Sequence, residues 1–279
     1  MAKGCISSVE VQQYHAKGFL LAKAFYDREE IDLLKRAAKE DREMDSHAYS
    51  RNDGEGGNVR LSVWNHPGDT IYGMFARCES IVESATRLLN DEIYHYHSKM
   101  IMKDAKVGGA WTWHQDYGYW YQNGVLFPAL TSVSIAVDAA TKENGCMQVI
   151  PYSHTLGRIE HILKGEQAGA DMERVAEVLK RLPLVYVEAE PGDALFFHPN
   201  LLHRSDQNTS DNPRWSMICC YNSKKNDPYK ESHHPRYTPL NKVPDSAIKQ
   251  AGLKRFSTGD SAWMNEHTDR SATVLSGKD

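Results

Sequence analysis

Apolar positions change their period partway along the chain. From about residue 8 to 43 they recur at helical spacing, on Val9, Val11 and Tyr14 and then on Ile31, Leu33, Leu34, Ala37 and Ala38. Between these stretches FLLAKAF (19–25) is short enough to be a strand. Asp27, with Glu30 three residues on, gives a capping signature for the second helix. Residues 44–69 are polar, Gly-rich and aperiodic, which predicts a long loop of the kind that serves as a lid. A further helix is predicted over about 70–90, on Met74, Phe75, Cys78, Ile81, Val82, Leu88 and Leu89.

Beyond residue 91 the period shortens to two. Runs at 93–103, 130–139, 146–151, 184–198 and 214–222 are rich in Val, Ile, Tyr and Phe, with Gly, Pro, Asn and Asp between them. A helical insertion at about 171–181 interrupts them. Helices first and then strands at hairpin spacing predict a mainly β fold with a helical flank, a sandwich or jelly roll. The expected organisation is one domain over 1–279. A helical flank and lid loop fill about 8–90, a β core with its insertion about 91–222, and a C-terminal extension about 223–279.

Composition narrows the function classes. The 279 residues carry 33 Lys and Arg against 37 Asp and Glu, a net charge of −4, so no basic excess exists to hold nucleic acid. No apolar run approaches the roughly 18 residues that a membrane helix needs. The first residues lack the apolar core of a secretory signal, so a cytoplasmic location is expected. Cys5, Cys78, Cys146, Cys219 and Cys220 form no CxxC pair and read as buried small hydrophobes. Dinucleotide, Walker A and nucleophile-elbow motifs are absent.

Two segments carry candidate chemistry. In GGAWTWHQDYGYWYQNG (108–124), His114 and Asp116 are two apart, which in an extended strand puts both side chains on one face. Downstream, P-G-D (191–193) is a turn, ALFFH a buried strand, and His203 stands eleven residues before Arg214. Two histidines and one carboxylate on one face of a metal leave the opposite face open, as in non-haem Fe(II) oxygenases. Arg214 suits the far carboxylate of a dicarboxylate cosubstrate, because a guanidinium is a rigid bidentate fork. His198 competes with His203 as the third ligand, and its spacing to the arginine favours His203.

These motifs, with W-H-Q-D (113–116), SIAVDAATKENGCMQVIPYSH (134–154) and H-R-S-D-Q-N-T-S-D-N-P-R (203–214), resemble the phytanoyl-CoA dioxygenase family over roughly residues 10–225. The resemblance implies a double-stranded β-helix, a cupin-like jelly roll. It implies an Fe(II)- and 2-oxoglutarate-dependent dioxygenase that uses O2 to hydroxylate an unactivated C–H bond of a small polar metabolite. Iron would be held by His114, Asp116 and His203 and 2-oxoglutarate by Arg214, with further contacts from His97, Lys99, Ser132 and Ser134. The family's long-chain acyl-CoA hydroxylase has Trp at the position of Ser134, which argues against phytanoyl-CoA as substrate. Related halogenases lack the carboxylate, so Asp116 favours hydroxylation. An acyl-CoA or a natural-product intermediate is the alternative substrate. A zinc-dependent cupin-like hydrolase or a non-catalytic 2-oxoglutarate sensor is the alternative of another class.

Trp111, Trp113, Tyr117, Tyr119, Trp120 and Tyr121 crowd the iron motif. They read either as core or as a cage for a quaternary ammonium group. With Arg60, Arg158 and His161 in flanking loops, a cage would suit a quaternary-ammonium phosphonate or a similar zwitterion. Arg51 shares the ambiguity of Arg60. His233 and His234 read as an exposed feature of the extension, and the chain beyond about 256 as a tail suited to an interface arm of a homodimer.

Overall fold

The computed structural model describes residues 4–54, 56–254 and 262–269. α1 (Ser8–Lys17) and α2 (Arg28–Glu40) flank the edge strand β1 (Phe19–Ala22). A short α3 (Arg42–Ser46) leads to the hairpin β2 (Tyr49–Asn52) and β3 (Asn58–Trp64), then α4 (Ile71–Arg77) and α5 (Glu79–Leu89). β4 (Ile93–Lys103), β5 (Trp111–His114), α6 (Asp116–Trp120), β6 (Leu130–Ala136) and β7 (Met147–Val149) follow. The hairpin β8 (His161–Lys164) and β9 (Gln167–Ala170) and the helix α7 (Met172–Leu179) come next. They precede β10 (Val185–Val187), β11 (Ala194–Phe197), β12 (His203–Ser205) and β13 (Arg214–Ser223). α8 (Ser246–Gly252) and β14 (Trp263–Met264) end the described chain.

The larger sheet runs β1-β11-β6-β13-β4-β3-β14, with β2 on β3, and the smaller runs β10-β7-β12-β5. All their pairings are antiparallel. The two sheets make the jelly-roll layers without closing into a barrel. Both helix starts near the N-terminus are locked by reciprocal capping boxes, Ser7 with Glu10 and Asp27 with Glu30.

Strand alternation sorts chemistry from packing. On β4, β6 and β13, Met100, Met102, Val133, Ile135, Met217 and Cys219 face the helices and join Ile31, Leu34, Phe75 and Ile81 in one apolar layer. Each fully buried Leu, Ile or Phe there contributes about 1.5–3 kcal/mol. The intervening positions Lys99, Ile101, Lys103, Arg214 and Ile218 line the space between the sheets. The vicinal cysteines therefore point to opposite faces: Cys219 joins the helix layer and Cys220 a second cluster inside.

The 44–69 expectation needs correction. It holds the β2–β3 hairpin, and β3 pairs with β4 inside the larger sheet. Tyr49, Val59, Leu61 and Val63 are buried, but so are Arg51, Asp53 and Ser62, and these hidden polar residues blur the alternation. The extension is corrected too: β14 pairs with β3, and His234 is buried. Of the tail expected beyond 256, residues 257–261 and 270–279 lie outside the described residues.

Candidate active site

β5 and β12 are neighbours in the smaller sheet, and their register sets His114 directly opposite His203. The ring centroids are 4.0 Å apart. The strand ends at His114, and Asp116 opens α6, so the carboxylate reaches its place through a change of backbone rather than strand alternation. Its Oδ1 lies 3.7 Å from His114 Nε2 and 3.9 Å from His203 Nε2. One donor atom from each of the three residues falls within 4.8 Å of the others, and all three residues are buried.

The tautomers are fixed from behind. His114 Nδ1 donates to the Thr112 carbonyl at 2.8 Å and His203 Nδ1 to the Leu201 carbonyl at 2.9 Å, which leaves both Nε2 lone pairs facing Asp116. Burial, and for His114 the neighbouring His203, hold both imidazoles below their usual pKa and hence neutral. Asp116 accepts from Tyr119 Oη at 3.0 Å through Oδ1 and from Ser132 Oγ at 2.8 Å through Oδ2. Two neutral nitrogens and an oriented carboxylate are the donor set that suits Fe(II). His198 is not part of this group; it packs against His154 and accepts from the Asn200 amide.

The same cavity holds two cations on neighbouring strands. Arg214 is register partner of Lys103, and both line the cavity with the triad and Ser205. Arg214 donates to the Gly145 carbonyl at 2.7 Å and to Ser216 Oγ at 3.4 Å, while its buried Nε has no partner among the described residues. Lys103 donates to Ser205 Oγ and the Asp206 carbonyl. Among the described residues neither has a carboxylate counter-ion. Burial lowers the Arg214 pKa to about 10, and burial with the Arg214 charge pushes Lys103 well below its usual range. A dicarboxylate end-on against this pair would relieve both. Ser134 lies beyond Arg214 in an adjoining cavity with Ser216 and Asp138.

A second cavity adjoins the first through Lys99 and Trp111, and His97, Tyr119, Trp120 and Arg51 also line it. Each cavity encloses about 50 Å³. Other expected substrate residues lie elsewhere. Trp113 packs with Ile150, Val175 and Leu202 on the far side of β5. Tyr117 is core, its hydroxyl donating to the Val125 and Leu126 carbonyls. Arg158 pairs with Glu160 over the Tyr121 ring. His161 accepts from the Gln115 amide through Nε2 and donates from Nδ1 to the Ile159 carbonyl, and it fits only because position 118 is glycine. Arg60 pairs with Asp45 and Asp104 and stacks on Trp215. Of the expected cage, Trp111, Tyr119 and Trp120 line the second cavity, whereas Trp113, Tyr117 and the basic Arg60, Arg158 and His161 are engaged elsewhere.

Gln115 and Gln167 gave no functional signal in the sequence, yet they frame the site. Gln115 donates to the Gly157 and Asn200 carbonyls and accepts from the Ile159 amide, tying the metal loop to the approach of β12. Gln167 bonds the Ala110 carbonyl and the Thr112 amide, fixing β5.

Fold and donor set together define the class, an iron(II)- and 2-oxoglutarate-dependent dioxygenase. The chain belongs to the phytanoyl-CoA dioxygenase family, whose model matches residues 14–216. It is similar to the L-proline trans-4-hydroxylase of Streptomyces griseoviridis, 31% identical over 186 residues that cover 61% of this chain and 69% of that one. It is also similar to the ectoine dioxygenase of Sphingopyxis alaskensis, 25% identical over 79% of this chain and 77% of the relative. Among solved structures, EctD from S. alaskensis with 2-oxoglutarate and 5-hydroxyectoine superposes with a TM-score of 0.72 at 22% identity, covering 88% of this chain and 90% of that one. SnoK, a non-heme alpha ketoglutarate dependent carbocyclase from nogalamycin biosynthesis, gives 0.65 at 21% identity, covering 85% and 93%. Among the described residues no helix is long and apolar enough to cross a membrane.

Proposed function

We propose that this dioxygenase hydroxylates a C–H bond of a small, carboxylate-bearing polar metabolite, and that the whole chain acts as one domain. In this reading His114, Asp116 and His203 hold iron, while Arg214, Lys103 and Ser205 hold 2-oxoglutarate. The observation that carries it is a buried Arg214–Lys103 pair with no carboxylate in ion-pair contact among the described residues, sharing one cavity with the triad. A zinc hydrolase would have no use for such a pair. Iron(II), when bound, supplies the oxidising chemistry: 2-oxoglutarate, O2 and R–H give succinate, CO2 and R–OH. The protein's own share is positional. Ser132 and Tyr119 hold the Asp116 carboxylate, the two carbonyls hold the imidazoles, and the apolar walls around Ile101, Ile218 and Phe197 keep water out.

Relatives named for proline and ectoine support small polar substrates. With Arg60, Arg158 and His161 engaged elsewhere, nothing supports a quaternary-ammonium phosphonate as the substrate. The test is Fe(II)-dependent succinate formation from 2-oxoglutarate, first alone and then with candidate metabolites. Succinate yield that does not depend on Fe(II) or on Arg214 would overturn the assignment.

A further inference from the structure

His97 and Lys99 stand two apart on β4 and so share a face, toward the second cavity. Against His97 lies His234, brought back by the chain after β13; the rings stack with centroids 4.7 Å apart and planes at 21°. Trp120 closes the edge of His97, and Tyr96 lies against His234. Both imidazoles are buried. Each leaves one ring nitrogen without a partner among the described residues, Nδ1 of His97 and Nε2 of His234. Lys99 has neither a hydrogen-bond nor an ion-pair partner among the described residues, and it lines both cavities.

Leaving a buried polar nitrogen unpaired costs about 1–3 kcal/mol, and two within one stacked pair is a large concession in a well-packed interior. Core packing does not account for it, since Phe would fill the same space at no such cost. A polar ligand does. Burial and the neighbouring basic groups keep both rings neutral. His234 gives its one N–H from Nδ1 to Asn65 Oδ1 at 3.4 Å, so its Nε2 is a lone pair, and His97 is the ring that offers an N–H beside the Lys99 charge.

We infer that Lys99 and His97 form the subsite for the substrate's carboxylate, with His234 stacked on His97 and presenting an acceptor nitrogen beside it, and that the segment carrying His234 is a specificity element of the enzyme. The inference rests on the function proposed above. Because Lys99 borders both cavities, a carboxylate held there leaves the neighbouring carbons of a small molecule toward the triad. A primary amide of the same molecule could accept hydrogen bonds but would forfeit the ion pair.

The experiment screens the twenty standard L-amino acids, ectoine, their available amides and simple amines for substrate-stimulated succinate formation by the full chain with Fe(II). The best acid and its amide are then compared by kcat/KM in wild type, Lys99→Met and His234→Phe. The wild type should prefer the acid by about 10- to 100-fold. Lys99→Met should bring acid and amide within about threefold, and His234→Phe should raise KM for the acid more than it lowers kcat. A variant that merely folds poorly would depress acid and amide alike and leave their ratio unmoved. The inference is overturned if only amines or amides are turned over, if no carboxylate stimulates turnover, or if Lys99→Met raises KM for 2-oxoglutarate while the acid-to-amide ratio stands. Substrate-free succinate formation judges the dioxygenase assignment separately.

Discussion

His114 and His203 are register partners on adjacent antiparallel strands, and each gives its Nδ1 hydrogen to a carbonyl two residues earlier in its own chain. The repeated geometry presents two Nε2 atoms to the one Asp116 carboxylate. Removing any member leaves two donors, too few to hold Fe(II) facially. His114→Ala, Asp116→Ala and His203→Ala should each lose stoichiometric iron in metal analysis and lose iron-dependent succinate formation. Wild-type enzyme stripped by a chelator should recover with Fe(II). A variant that retains both iron and turnover would show that its residue is not a ligand.

Arg214 and Lys103 give the second prediction. Arg214→Ala removes a charge-assisted pair from a buried site, a loss of roughly 2–5 kcal/mol, so KM for 2-oxoglutarate should rise about 30-fold or more. Lys103→Met should act in the same direction with iron content intact. An unchanged KM in both would place the dicarboxylate elsewhere.

What the sequence made legible followed from local rules. The capped helix after Asp27 and the period-two runs rest on neighbours in the chain, while His114, Asp116, His203 and Arg214 were legible as motifs at recognisable spacing. What stayed hidden depends on contacts across the fold. Lys103 and Arg51 look like surface cations until β3, β4 and β13 enclose them. His234 looked exposed because nothing local reveals that its segment returns to His97. The aromatic run stayed ambiguous because β5 turns into α6 at Gln115, which sends Trp111, Tyr119 and Trp120 to the second cavity and Trp113 and Tyr117 into packing.

Ser132 supplies the third prediction. Its hydroxyl fixes Asp116 Oδ2 from the opposite sheet, so Ser132→Ala frees the carboxylate to rotate without touching a donor atom. Loss of such an orienting bond typically weakens metal affinity 10- to 100-fold. Competition with a chromogenic chelator should therefore show a higher Kd for Fe(II), and excess iron should restore turnover. If affinity is unchanged, Tyr119 alone suffices to orient Asp116.

Acid stability provides the last prediction, and His95 carries it. The ring is buried, donating from Nδ1 to the Asn65 carbonyl at 3.0 Å and meeting Ser98 Oγ at 2.7 Å through Nε2. Burial lowers its pKa to about 4, against about 6.5 in an unfolded chain. Between those values the unfolded chain binds a proton that the folded one refuses. Stability is thus full above pH 6.5 and falls as the pH drops toward 4, by about 1.4 kcal/mol for each pH unit. His161 and His198, lowered to about 4 and about 3 by burial, act in the same direction. Urea unfolding at pH 7.5, 6.0 and 5.0 should show this decline, and His95→Gln should flatten it by close to one proton's worth. Parallel slopes in wild type and variant would mean that His95 accepts its proton without unfolding.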